Sequence, residues 1–318
     1  MNFPDQSLAV EANGLVKTFG SFRALDGLHL GVRGGEVHGF LGPNGSGKST
    51  AIRILLGLYH RTAGSVRVLG LDPEEHPAEV TRRVSYVPGE VQLWPNLTGQ
   101  EVLDALAGMR GRYDPVAERR LVDVFALDPS RKVRTYSKGN RQKVILVAAF
   151  AARTDLLVLD EPTAGLDPLM ETVFSSEVRA AAAEGRTVLL SSHILSEVDQ
   201  LCESVTIIKD GRVVESGKVA QMRHLASSTI TAAVPVGRRS ALFESLIRLG
   251  IEVPGAFDPG TSETSTSDAT VWPLTIRASV ASVGAALGEL LAAGADSITC
   301  TPATLEDLFL RHYEVLAR

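Results

Sequence analysis

The chain has 318 residues, 44% of them hydrophobic, and a net charge of −5. That length holds a large domain and a small one, each with a core of its own. The acidic balance argues against a general nucleic-acid binder, which carries a basic surplus.

In chain order, the first 225 residues alternate strand-like and helix-like patterns, the signature of an α/β core with a largely parallel sheet. EVHGFLG (36–42) is a short apolar strand ending in glycine, and AIRILLGL (51–58) is a helix. SVRVLG (65–70) and RVSYV (83–87) are strands. LTGQEVLDALAGM (97–109) is a helix opened by a capping box from Thr98 to Glu101. A further helix begins near YSKGNRQK (136–143) and runs into an apolar stretch ending at Ala152. DLLVLDEP (155–162) and RTVLLSSH (186–193) are apolar runs short enough for buried strands. VTIIKDGRVVESG (205–217) is a hairpin turning at Asp210-Gly211.

From residue 226 the texture changes. A strand (229–236), an amphipathic helix (239–250), a polar turn-rich loop (258–268), a strand (269–278), a helix (279–293), a strand (297–301) and a last helix from Thr304 predict a small α+β domain over 226–318. MNFPDQSLAV has no signal-peptide pattern, and no apolar run approaches the roughly 18–20 residues of a spanning helix, so a soluble protein is expected. Cys202 and Cys300 have no metal-ligand spacing and read as reduced thiols.

Two motifs carry chemistry. The loop Gly42, Pro43, Asn44, Gly45, Ser46, Gly47, Lys48, Ser49 and Thr50 follows a strand, opens a helix and fits G-x-x-x-x-G-K-[ST]. Glycines let successive N–H groups point inward at phosphate oxygens, and the helix aims its positive end at the same place. Lys48 supplies a charge for the β- and γ-phosphates, and the Ser49 hydroxyl ligates Mg²⁺. LLVLDEP then offers two adjacent carboxylates at a strand end: Asp160 to hold the metal and Glu161 to orient or deprotonate water. The competing reading of that pair is an ordinary polar strand cap.

In their order, the loop at 42–50, YSKGN (136–140), LLVLDEP (156–162), AGLDP (164–168) and LLSSH (189–193) resemble the ATP-binding subunits of ABC transporters. The resemblance spans about residues 8–220. It implies a P-loop NTPase fold with an antiparallel β subdomain and a helical subdomain, the small C-terminal domain aside. It also implies ATP and Mg²⁺ as ligands and two copies closing head to tail around two ATP molecules. YSKGN stands where the family has Leu-Ser-Gly-Gly-Gln, so Ser137 and Gly139 would meet the γ-phosphate held by the second copy. Lys138 and Asn140 depart from that pattern; Lys138 either adds charge toward the phosphate or faces solvent.

By the same resemblance Phe19 matches the aromatic that stacks on adenine, with a core phenylalanine as the alternative. Asp167 matches the residue bridging the two copies, and His193 the histidine at the γ-phosphate, with a structural histidine as the alternative. Where the family has a glutamine after Y-x-P, this chain has Gly89; Glu90, Gln92 or a water fills its place, and Glu90 is the favoured substitute. Leu93, Trp94 and Leu97 fall where the family docks a membrane permease, or else lie in a covered loop. PATLEDLFLRHYE (302–314) is similar to the tail of drug-resistance and polyketide-export subunits, with Leu305, Leu308, Phe309 and Tyr313 on one helix face. The implied protein is an export ATPase, peripheral on the inner face of the cell membrane and without a nucleic-acid partner. The alternatives are a soluble ABC ATPase acting on ribosomes or nucleic acid, or a weakly hydrolysing regulatory one.

Overall fold

The computed structural model describes residues 8–109, 112–225, 228–251, 271–279 and 282–301. It divides into two compact units, Met1–Lys218 and Val219–Arg318.

The first unit opens with β1 (Leu8–Phe19) and β2 (Phe22–Arg33), followed by β3 (Val37–Leu41) and α1 (Lys48–Leu55). Then come β4 (Ala63–Val68), α2 (Pro77–Arg83), β5 (Val84–Val87), α3 (Gly99–Met109), α4 (Pro115–Val124) and α5 (Lys138–Ala151). It finishes with β6 (Leu156–Asp160), α6 (Pro168–Ala183), β7 (Thr187–Ser192), α7 (Leu195–Leu201), β8 (Ser204–Lys209) and β9 (Arg212–Lys218). One antiparallel sheet has the order β2-β1-β4, and the central sheet the order β5-β6-β7-β3-β8-β9. The central strands are parallel except for β9, which returns antiparallel after a turn where Asp210 and Gly211 both have positive φ, as Asp-Gly predicts.

Every residue of β3 and β6 is buried, so these strands are covered on both faces. That explains their unbroken apolar sequence, since a half-exposed strand would alternate. α5 packs against α3, α4 and β5, and its apolar run Val144–Ala151 is almost wholly buried. Phe40, Phe125 and Phe174 are fully buried, each stabilising the fold by about 1.5–3 kcal/mol as an upper bound. Thr98 and Glu101 form the expected reciprocal cap: the Thr98 amide donates to Glu101 (2.7 Å) and the Glu101 amide to the Thr98 hydroxyl (3.2 Å).

The second unit begins with α8 (Val219–Leu225), so the division falls a helix earlier than the change of sequence texture. β10 (Ser228–Pro235), α9 (Arg239–Arg248), β11 (Val271–Ala278), α10 (Val283–Ala292) and β12 (Asp296–Thr301) follow. The antiparallel sheet has the order β11-β10-β12, and Ile230, Val234, Leu246, Ile276, Ala286 and Leu290 lie in its buried core. The polar loop at 258–268 and the helix from Thr304 with its apolar stripe lie outside the described residues.

Candidate functional site

β6, β7 and β3 are neighbours, with Asp160 in register with Ser191 and Leu41 with Ser192. Three motifs distant in sequence therefore emerge together at the carboxyl edge of the sheet, where open parallel sheets bind ligands. Lys48 is only 5% exposed. Its Nζ donates to the carbonyls of Gly42 (2.7 Å) and Pro43 (3.1 Å) and lies 3.6 Å from Glu161 Oε1. Burial pushes its pKa below the ordinary lysine value, against the opposing pull of Glu161 and Asp160. His193, at the end of β7 and 47% exposed, has its Nδ1 3.4 Å from the same Glu161 oxygen.

Asp160 is buried and accepts a hydrogen bond from the Ser191 hydroxyl. Glu161 has φ 47°, left-handed backbone that costs a side-chain-bearing residue on the order of 1–3 kcal/mol and that concentrates at functional sites. It is held there by its own amide, which donates to Ser191 O (3.0 Å), and by the Ala164 amide, which donates to its carbonyl (3.2 Å).

The phosphate loop matches its sequence signature. Gly47 has φ 108° and leads into α1, whose first turn has no side-chain cap and no acidic residue. Its positive end is thus left to an anion. Ser46 Oγ is buried with no hydrogen-bond partner. Such an orphan is costly in a finished interior and suits a loop that closes on phosphate oxygens.

Ser137 caps α5, accepting from the Asn140 amide (3.2 Å), and is exposed. A Cβ at Gly139 would stand 2.4 Å from Gly165 O, so the close approach of 137–140 to the AGLDP segment demands glycine. The stem of exposed Lys138 lies along Gly165. Gln142, buried, donates to Pro162 O (2.9 Å). Exposed Asp167 caps α6 through the Met170 amide (3.0 Å). Phe19 is 44% exposed rather than in the core, edge-on to Tyr59 with centroids 5.6 Å apart, and Lys17 Nζ is 4.7 Å from its ring.

Gly89 approaches the strand end carrying Asp160 and Glu161: a Cβ there would be 3.2 Å from Asp160 O. Glu90 beside it is exposed. Trp94 is 48% exposed, with Leu93 and Leu97 half-buried, so the segment is not a covered loop. Beside it Val91, Gln92, Leu93, Pro95, Val133, Arg134 and Arg141 line a groove of about 380 Å³. Sequence reading missed Ser191, Gln142 and Glu197, the last of which joins two of the loops; strand register brings Ser191 to Asp160, and register is not written in the motif.

Fold and site define a P-loop nucleoside triphosphatase. A family model described as ABC transporter matches residues 25–164. The daunorubicin/doxorubicin resistance ATP-binding protein DrrA of Streptomyces peucetius is 38% identical over 259 residues, covering 79% of this chain and 78% of its own. The bacitracin transport ATP-binding protein BcrA of Bacillus licheniformis is 34% identical over 212 residues, covering 66% of this chain and 69% of its own. A solved structure of the ATP-binding subunit of an ABC transporter superposes with a TM-score of 0.64 at 31% identity, covering 69% of this chain and 93% of that one. The chain belongs to the ABC transporter ATP-binding family, and it is an ATPase serving transport.

Proposed function

We propose that two copies of this chain close head to tail around two Mg-ATP molecules and drive a separately encoded membrane permease that exports a small molecule such as a drug or antibiotic. The observation that carries this is the convergence of Lys48, Glu161 and His193 at the phosphate loop. Gly42–Thr50 cradle the phosphates with backbone N–H groups and Lys48 neutralises their charge. Phe19 offers its exposed ring to adenine. Glu161 orients and deprotonates a water that attacks the γ-phosphorus; the bond to the β–γ bridging oxygen breaks, and ADP and phosphate leave. His193 donates to the γ-phosphate.

Ser49 and Asp160 are the residues that would hold magnesium. Both supply hard oxygen donors, and magnesium needs no all-protein cage because it binds through one or two carboxylates plus substrate phosphates. When bound it neutralises charge on the β- and γ-phosphates.

Ser137 and Gly139 of each copy cover the γ-phosphate of the other, Asp167 bridges the two, and Glu90 takes the place of the missing glutamine. Exposed Trp94 with Leu93 and Leu97 supports a docking surface for the permease. Among the described residues no helix is long and apolar enough to cross a membrane, and the proposed pathway lies in that partner. The protein then sits peripherally on the inner face of the cell membrane. Export, rather than import, is supported by the resistance and antibiotic-transport relatives.

Affinity purification of the tagged protein from solubilised membranes tests this. An integral membrane protein with several spanning helices is expected to co-purify, and Trp94→Ala to weaken its recovery. Ribosomes or nucleic acid in its place would overturn the transport reading.

A further inference from the structure

We propose that Glu197 is a positioning residue that sets the distance between Glu161 and His193. Glu197 stands in α7, outside every sequence motif that marks the site. Its two carboxylate oxygens are divided between the two loops that carry those residues. Oε1 accepts from the Thr163 hydroxyl (2.6 Å), two residues beyond Glu161. Oε2 accepts from the Ser192 hydroxyl (2.8 Å), immediately before His193. Ser192 Oγ in turn accepts from the Ile194 amide (2.9 Å), fixing the turn on which His193 sits. Thr163 and Ser192 are both buried and Glu197 is half-buried, so these are charge-assisted bonds partly shielded from water.

The geometry explains why a carboxylate is used. One group must accept two hydroxyl protons on opposite oxygens at once, and an ionised carboxylate accepts on both. An amide accepts on one side only and must turn its NH₂ toward the other hydroxyl. A hydroxyl that accepts from that NH₂ no longer donates to it, so one of the two hydroxyl protons loses its acceptor. With the clamp in place the Thr163 loop and the β7 end cannot drift apart, and His193 Nδ1 stays 3.4 Å from Glu161. Reacting groups out of line by about 1 Å lose on the order of a hundredfold in rate.

The inference rests on the catalytic reading of Glu161 and His193, and the two are separable by experiment. Phosphate release by the full-length protein, abolished by Glu161→Gln, tests that reading. Against that baseline, Glu197→Ala should lower kcat on the order of tenfold or more. The KM for ATP and the affinity for a fluorescent ATP analogue should change little, since none of the phosphate loop is touched, whereas the Tm should fall by a few degrees because the Thr163 and Ser192 hydroxyls lose their acceptor. Glu197→Gln should fall between wild type and alanine. Thr163→Val and Ser192→Ala should each lower kcat by a smaller factor, and neither should lower it further once Glu197 is alanine. An unchanged kcat in Glu197→Ala overturns the proposal. So does a loss of kcat accompanied by an equal loss of ATP affinity, because that marks a purely structural residue. If Glu197→Ala does not fold, the Thr163 and Ser192 variants decide: additive losses, or none, contradict a shared clamp.

Discussion

The central strand β3 has a cluster of buried polar groups at each end, and the two differ in kind. At the amino end Glu36 and His38 are both buried. Glu36 Oε1 accepts from the Arg33 amide (2.9 Å) and pairs with His38 Nδ1 (3.1 Å), while its other oxygen accepts from Ser204 (3.1 Å). His38 Nε2 pairs with Thr206 (2.9 Å), which pairs with Ser216 (2.8 Å). Every donor there has its acceptor, and no backbone is strained. At the carboxyl end a buried lysine faces a glutamate in left-handed backbone, a histidine half in solvent, a serine hydroxyl without a partner and an uncapped helix start. A closed polar cluster holds a fold together. An open, strained one is held by its surroundings for use.

The sharpest way to break this comparison is to cut each cluster and read both activity and stability. Lys48→Ala should reduce ATP hydrolysis on the order of a hundredfold or more in a phosphate-release assay. Its Tm should stay level or rise, because the variant relieves a buried charge. His38→Ala should do the reverse. It strands Glu36 and Thr206 and should cost about 2–3 kcal/mol in urea unfolding, with kcat per folded molecule unchanged. If His38→Ala abolished turnover without unfolding the chain, the amino-end cluster would not be merely structural.

Gly139→Val extends the test to the YSKGN segment, where Ser137 and Lys138 are exposed. Its side chain would meet Gly165 O, so α5 must shift. Hydrolysis should fall on the order of tenfold or more while a single copy still binds ATP; loss of binding as well would place Gly139 in its own chain's site. A smaller effect is expected from pH. Burial alone would raise the pKa of Glu36, but hydrogen bonds from His38, the Arg33 amide and Ser204 hold it below the ordinary 4.5. A depressed carboxylate contributes stability that is present above that value and is lost as pH falls through the folded one. Glu36→Gln should therefore flatten the acid limb of a urea-midpoint profile below about pH 5. An unchanged slope would contradict the assignment.

Much of this was legible in the sequence, for physical reasons. Strands β3 and β6 are buried on both faces, so their apolar runs stood out, and the loops after them contain residue types that few other structures need together. The hairpin at Asp210-Gly211 and the cap at Thr98 are local, decided by neighbours in the chain. Long-range partners were not legible. Ser191 meets Asp160 through parallel register, Gln142 reaches Pro162 from another element, and Glu197 joins two loops from a third; each depends on packing that no short window encodes. Lys138, undecided in sequence, lies along Gly165 and is exposed.

The central claim is that one chain has only part of each catalytic site and that Ser137 and Gly139 of a second copy complete it. Sedimentation of Glu161→Gln in saturating Mg-ATP tests this most directly, since binding without turnover should trap the closed pair. The account predicts a dimer that returns to monomer when Ser137→Arg is added to the same chain. A Glu161→Gln protein that binds Mg-ATP and stays monomeric would contradict it.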